Sequence, residues 1–141
     1  MRTVALDLGD VWIGVAISDP IGITARPYDT ILEPHLITYI AQLLQEFQIN
    51  TIVVGHPQTL RGTSSQQTIK IEEQVKNLAT LFPSIKWALW DERLTSKQAS
   101  NIKHAKTKEQ KRAQHAIAAA LILQSYLERQ MFLKNKSESV L

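Results

Sequence analysis

The first third of the chain consists of short apolar runs separated by turn-forming residues. Residues 2–7, 11–18 and 23–32 are rich in apolar and β-branched side chains, which is typical of strands. Glycine, aspartate and proline at 9–10 and 19–22 separate these runs. Because short turns join antiparallel neighbours, the chain is predicted to open with an antiparallel meander.

The pattern then changes to helices that alternate with strands. Apolar residues recur at helical spacing over 36–47 and 71–82. Compact apolar runs at 51–55 and 85–90 follow these helices and predict two further strands. Helical connections between strands imply that the later strands pair in parallel.

Two more helices complete the predicted fold. One begins near Thr95, and a longer one covers about 108–132, where 116–123 is apolar on almost every side and should pack on the sheet. We therefore predict one α/β domain over 1–133, with a polar tail over 134–141. Its sheet would be mixed, with three antiparallel strands followed by parallel ones, and flanked by helices.

Composition excludes several classes of protein. The length of 141 residues and the 44% hydrophobic content fit one globular domain. The chain has no cysteine, which excludes disulfides and cysteine-ligated zinc. We expect a cytoplasmic protein without membrane association, because neither a signal peptide nor a long apolar run is present. The net charge of +3 is compatible with a polyanionic partner but does not indicate one.

Acidic residues follow the first and the last predicted strand. Asp7 ends the first strand, and Asp91 and Glu92 end the fifth. The carboxyl ends of strands form the site-bearing edge of such sheets, so these carboxylates are expected to converge. Together they would hold a hard divalent cation, which can promote phosphodiester cleavage. Taken singly, each residue could equally belong to a turn or cap a helix.

Basic residues near these acids are candidates for contacts with nucleic acid. Arg93 follows the acidic pair and could orient a carboxylate or bind phosphate, and Arg61 lies in a polar loop. The remaining candidates form one basic run: Lys103, Lys106, Lys108, Lys111 and Arg112. This run could also be a solvated surface. Trp12, near the first turn, is either a core residue or a platform for base stacking.

Four sequence blocks, taken together, resemble the YqgF/RuvX family. They are DLG at 7–9 with IGVAISDP at 13–20, IVVGHP at 52–57 with GT at 62–63, DERLTS at 91–96, and AIAAALILQSYL at 116–127. The blocks occur in the family's order and cover nearly the whole chain. Each block alone is a weak signal, whereas the four in order are highly specific.

The resemblance implies an RNase H-like fold related to Holliday junction resolvases. It implies a cytoplasmic, metal-dependent nuclease whose usual role is maturation of the 5′ end of pre-16S rRNA. The family's acidic positions fall on Asp7 and Glu92, with Asp91 beside them, and the implied metal is Mg²⁺ or Mn²⁺. The implied partners are pre-rRNA, branched DNA or a ribosomal particle, bound by a monomer or a homodimer.

The chain also departs from the family pattern at the proposed site. His115 stands where the family has an aspartate, and imidazole is a poor substitute for carboxylate toward Mg²⁺. We expect a preference for Mn²⁺, a proton-transfer role for His115, or a loss of activity. Val11 and Trp12 replace a basic pair, Asp10 replaces a small residue, and Arg61 stands where an acid is frequent.

The favoured hypothesis is hydrolysis of a phosphodiester by a metal-activated water at Asp7, Glu92, Asp91 and His115. One alternative is a resolvase that cleaves DNA junctions as a dimer. Another is a non-catalytic module that binds RNA or the ribosome, which the histidine at 115 keeps open. A sugar-kinase or actin-like ATPase also ends its first strand in Asp-x-Gly, but 141 residues cannot supply its two lobes.

Overall fold

The computed structural model describes residues 1–56, 66–91 and 107–139. In chain order the elements are β1 (Arg2–Leu8), β2 (Trp12–Ser18), β3 (Ala25–Leu32), a 3-10 turn (Glu33–His35), α1 (Leu36–Glu46), β4 (Ile49–His56), α2 (Gln66–Leu81), β5 (Lys86–Asp91) and α3 (Lys108–Ser139). The helix expected near Thr95 lies outside the described residues. No helix in the described parts of the chain is long and apolar enough to cross a membrane.

The strands form one five-stranded sheet in the order β3-β2-β1-β4-β5. β2 pairs antiparallel with both β1 and β3, while β4 pairs parallel with both β1 and β5. This confirms the predicted mixed sheet, since the hairpin-linked strands are antiparallel and the helix-linked strands are parallel.

The last helix is longer than its apolar pattern predicts. It was expected to end near Phe132, yet α3 continues to Ser139. The residues over 128–137 are exposed, so the apolar pattern of the sequence contains no sign of this extension. They are mostly good helix formers without glycine or proline, which explains why the helix persists into the polar tail.

Alternation along the strands divides the core into two layers. One layer joins the sheet to α1 and α2, and its larger buried side chains include Leu6, Ile13, Ile17, Ile40 and Ile52. The other layer joins the sheet to α3. Its sheet side is made of smaller residues, Ala5, Ala16 and Val53, against which Ala119 and Leu123 of α3 pack. Because the sheet presents small side chains on that face, α3 can approach it closely.

Gly14 marks the closest approach of α3 to the sheet. A Cβ atom at this position would overlap the backbone carbonyl of His115. The hydroxyl of Thr30, which pairs with Gly14 across β2 and β3, donates to the carbonyl of Arg112 at 2.5 Å. Farther along the helix, the backbone N–H of Ala25 donates to the side-chain oxygen of Gln124 at 3.0 Å.

We predict that Gly14→Ala lowers the free energy of unfolding by about 3 kcal/mol, because the added methyl group would push α3 off the sheet. Gly22→Ala is the matched control, since a Cβ there meets nothing within 4 Å and the φ of 75° is the only strain. The control should cost about 1 kcal/mol. Urea unfolding measures both values, and a loss at Gly14 no greater than that at Gly22 would contradict the close contact.

Candidate active site

Asp7 lies near the carboxyl end of β1 on the face of the sheet that α3 covers. It is half-buried, and alternation puts it on the same side as the buried Ala5. On one side it pairs with Gly14 of β2. On the other side it is level with Gly55, one residue beyond the pair formed by Leu6 and Val54. Both neighbours lack side chains, and the backbone of α3 at His115 occupies the space above Gly14.

His115 belongs to the stripe of α3 that faces the sheet. It precedes Ala119 and Ile122 at spacings of four and seven residues, which are those of one helix face. Its carbonyl lies against Gly14, the strand partner of Asp7. The structure therefore brings Asp7 and His115 to the same end of the same face.

Sequence reasoning missed Gly14 as a residue that shapes this site. Gly14 lies within the block IGVAISDP, and a glycine inside an apolar strand is itself a signal. Such a glycine indicates close approach of another backbone, and here that backbone is the part of α3 that carries His115.

Asp91 reaches the predicted edge but lies on the opposite face from Asp7. It is the last residue of β5 and pairs with His56 of β4. On the same strand, Trp90 packs in the α3 layer and Trp87 packs against the other layer. Alternation therefore puts Asp91 on the side of α2. Asp7 and Asp91 therefore lie at the same edge of the sheet, as expected. Their side chains lie on opposite faces, which the sequence did not predict.

His56 has a structural environment rather than an open one. It is 7% exposed at the end of β4. Its Nε2 lies 3.0 Å from Oε1 of Glu72 on α2, within hydrogen-bond distance. His56 is therefore a packing histidine, because a buried imidazole needs a partner for its polar atoms.

Asp10 in the first turn is far more exposed than Asp7. Its side chain is 89% exposed, and one carboxylate oxygen accepts a hydrogen bond from Nζ of Lys70 at 3.1 Å. An ion pair this exposed contributes little to stability. It nevertheless places a cation beside Asp10, which reduces the repulsion that this carboxylate would exert on a phosphate.

The described basic candidates lie at the start of α3. Lys108, Lys111 and Arg112 are exposed there. The Arg112 guanidinium carbon lies 5.1 Å from the ring centroid of Trp12, the distance of a cation–π contact. The remaining site predictions lie outside the described residues: Arg61, Glu92, Arg93, Lys103 and Lys106.

Two of the described residues carry groups that could ligate a divalent cation. Asp7 offers carboxylate oxygen, the ligand that Mg²⁺ and Mn²⁺ prefer, and His115 offers a nitrogen. Across 1–56, 66–91 and 107–139 no three aspartate, glutamate or histidine side chains lie together as a metal-binding group.

Comparison with known proteins identifies the family. Residues 1–129 match the family model RuvX, described as Holliday junction resolvase. The chain belongs to the RuvX family. This confirms the resemblance found in the sequence and places the chain in a nuclease family.

Two relatives align with this chain over almost their whole length. A protein from Thermoanaerobacter pseudethanolicus is 40% identical over 146 residues, covering 96% of this chain and 100% of the relative. A protein from Rubrobacter xylanophilus is 37% identical over 128 residues, covering 90% and 92%. Both carry the provisional name pre-16S rRNA nuclease.

Two solved structures share the fold. RuvC from Thermus thermophilus, in complex with a Holliday junction substrate, matches with a TM-score of 0.57 at 13% identity, covering 93% of this chain and 96% of RuvC. The fowlpox virus resolvase, in complex with Holliday junction DNA, gives a TM-score of 0.52 at 13% identity and covers 92% and 99%. These likenesses confirm the predicted RNase H-like fold.

Proposed function

We propose that this protein is a metal-dependent nuclease that hydrolyses phosphodiester bonds during maturation of the 5′ end of pre-16S rRNA. The observation that carries the proposal is the setting of Asp7. This carboxylate lies at the carboxyl end of β1, between two glycines and on the face that His115 approaches. The relatives' shared name, pre-16S rRNA nuclease, supports the choice of substrate.

The donor set fits Mg²⁺ or Mn²⁺. Asp7 would hold the cation together with Glu92, and His115 would be a third ligand. Asp91 would act from the other face of β5, by its charge rather than by direct ligation. A bound divalent cation supplies Lewis acidity to the phosphodiester and to the attacking water.

The chain's own groups would orient the substrate and move its protons. Gly14 brings the backbone of α3, and with it His115, up to the strand partner of Asp7. Where His115 is not a ligand, its imidazole would transfer a proton to or from a reacting oxygen. The basic side chains would bind the nucleic-acid backbone: Arg61, Arg93, Lys103, Lys106, Lys108, Lys111 and Arg112. We further propose that residues 1–133 act as one cytoplasmic nuclease domain.

We predict that Asp7→Asn lowers metal-dependent cleavage of a labelled pre-16S leader by more than about 100-fold, because losing even an outer-shell partner of a ligand costs 10- to 100-fold. Asn is nearly isosteric, so the far-ultraviolet circular dichroism spectrum should not change. Asp10→Asn is the matched control, since it removes a nearby carboxylate that is 89% exposed. Its cleavage rate should stay within a few-fold of wild type.

The same assay separates the competing substrates. A four-way DNA junction is tested beside the RNA leader, with each metal in turn. Cleavage of the junction in preference to the leader would favour a resolvase. Full cleavage by Asp7→Asn would contradict the nuclease site itself.

The alternative of a non-catalytic binding module rests on His115, which stands where the family has an aspartate. In the described residues, no three aspartate, glutamate or histidine side chains lie together as a metal-binding group. We predict that wild type cleaves faster with Mn²⁺ than with Mg²⁺, and that His115→Asp shifts the preference toward Mg²⁺. His115→Asn is the uncharged control and should not shift it. Cleavage rates with each metal measure the effect. Cleavage gained only in His115→Asp would make the natural protein a binding module, and an unchanged metal preference would remove His115 from the metal site.

A further inference from the structure

A groove lies beside the active face, along the β3 edge of the sheet. It has a volume of about 570 Å³, within the range of small-ligand sites. Its lining includes Trp12, Asp29, Thr30, Tyr39, Gln42 and Arg112. The start of α3 borders it at one end and α1 at the other. The proposed phosphodiester chemistry at Asp7 does not account for this groove.

Trp12 connects the groove to Asp7. It lies two residues before Gly14 on β2, so both residues are on the face that α3 covers. The strand rise puts Trp12 about 7 Å from Gly14, which is the direct partner of Asp7. Trp12 is half-buried, which leaves part of its indole accessible. A nucleotide on Trp12 would therefore be a neighbour of a phosphate at Asp7.

Arg112 supplies a positive charge at the same place. Its guanidinium lies over the Trp12 ring, and no carboxylate in the described part of the chain pairs with it. An exposed cation–π contact is weaker than the stacking of a base on an aromatic ring combined with an arginine–phosphate pair. A nucleotide could therefore take the indole face while Arg112 turns to the phosphate.

The far end of the groove offers polar groups that could meet the edge of a base. The Tyr39 hydroxyl is buried and lies beside the Asp29 carboxylate. Burial, the nearby charge of Asp29 and a hydrogen bond to its carboxylate raise the pKa of Tyr39, which keeps the phenol protonated. The Asp29 carboxylate accepts the N–H of Thr30 at 2.8 Å and retains further acceptor capacity.

We propose that Trp12 and Arg112, with this groove, bind an unpaired nucleotide next to the scissile phosphate. The inference rests on the proposed nuclease function and narrows its substrate to nucleic acid that is single-stranded at this point. An indole can stack only on a base whose face is free, and a base inside a duplex has both faces covered. The subsite therefore favours an unpaired RNA leader over the paired arms of a junction.

The test measures affinity without cleavage. Fluorescence anisotropy follows binding of a short labelled single-stranded RNA to the full chain in the presence of EDTA. Trp12→Leu should weaken binding by about 5- to 150-fold, the fold-change that corresponds to losing one stacked base. Trp12→Phe keeps an aromatic face and should retain most of the affinity. With a strand of the same length that lacks bases, Trp12→Leu should have no effect.

Arg112 has a matched control on its own helix. Arg129 also lies over an aromatic ring, with its guanidinium carbon 5.4 Å from the centroid of Phe132, and it is exposed far along α3. Arg112→Ala should weaken binding and reduce the slope of log affinity against log salt by about 0.7. Arg129→Ala removes the same charge and should change neither quantity.

Equal affinity of wild type and Trp12→Leu for the single strand would overturn the subsite. Equal loss on single strand, duplex and the strand without bases would also overturn it, since it would indicate a structural role only. Thermal unfolding of each variant shows whether it is folded. If Trp12→Leu is not folded, the RNA affinities of wild type and Trp12→Phe are compared instead. A single-stranded DNA that behaves like the RNA supports the subsite, because stacking needs only the base. If binding depends on Trp12 but the protein cleaves no substrate, the proposed nuclease function is refuted and the nucleotide-binding subsite is supported.

Discussion

The backbone of α3 occupies the space where a side chain of β2 would otherwise stand. Gly14 makes this possible, and the small residues Ala5 and Ala16 extend the close contact along the sheet. Dense packing of this kind leaves little freedom to shift, because interiors are packed as tightly as organic crystals. It fixes the start of α3, with His115 and Arg112, beside the end of β1. The geometry of the proposed site follows from that placement.

This packing gives the two sides of the sheet different roles. The side under α1 and α2 carries the larger aliphatic core, and His56 is held there by Glu72. The side under α3 carries Asp7 and, at its open end, Trp12 beneath Arg112. Chemistry and base stacking are therefore proposed on one face, while the other mainly stabilises the fold and borders the groove only at its α1 end. Asp91, although at the same edge, belongs to the stabilising side.

Local pattern predicted the strands, the mixed pairing and the edge that carries Asp7, because alternation and turn residues are local signals. It could not assign the face of Asp91, since one residue of uncertainty at a strand end reverses the direction of every side chain. The extension of α3 over 133–139 carries no burial pattern. The contact of Trp12 with Arg112 joins residues far apart in sequence, so it appears only once α3 is docked.

If Asp7 is the core of a divalent cation site, its loss must weaken metal binding before any substrate is present. Titration of Mn²⁺ followed by electron paramagnetic resonance compares wild type with Asp7→Asn and Asp10→Asn, with no substrate present. We predict that Asp7→Asn weakens Mn²⁺ binding by about 10- to 100-fold or more, while Asp10→Asn binds like wild type. Equal Mn²⁺ affinity of wild type and Asp7→Asn would contradict it.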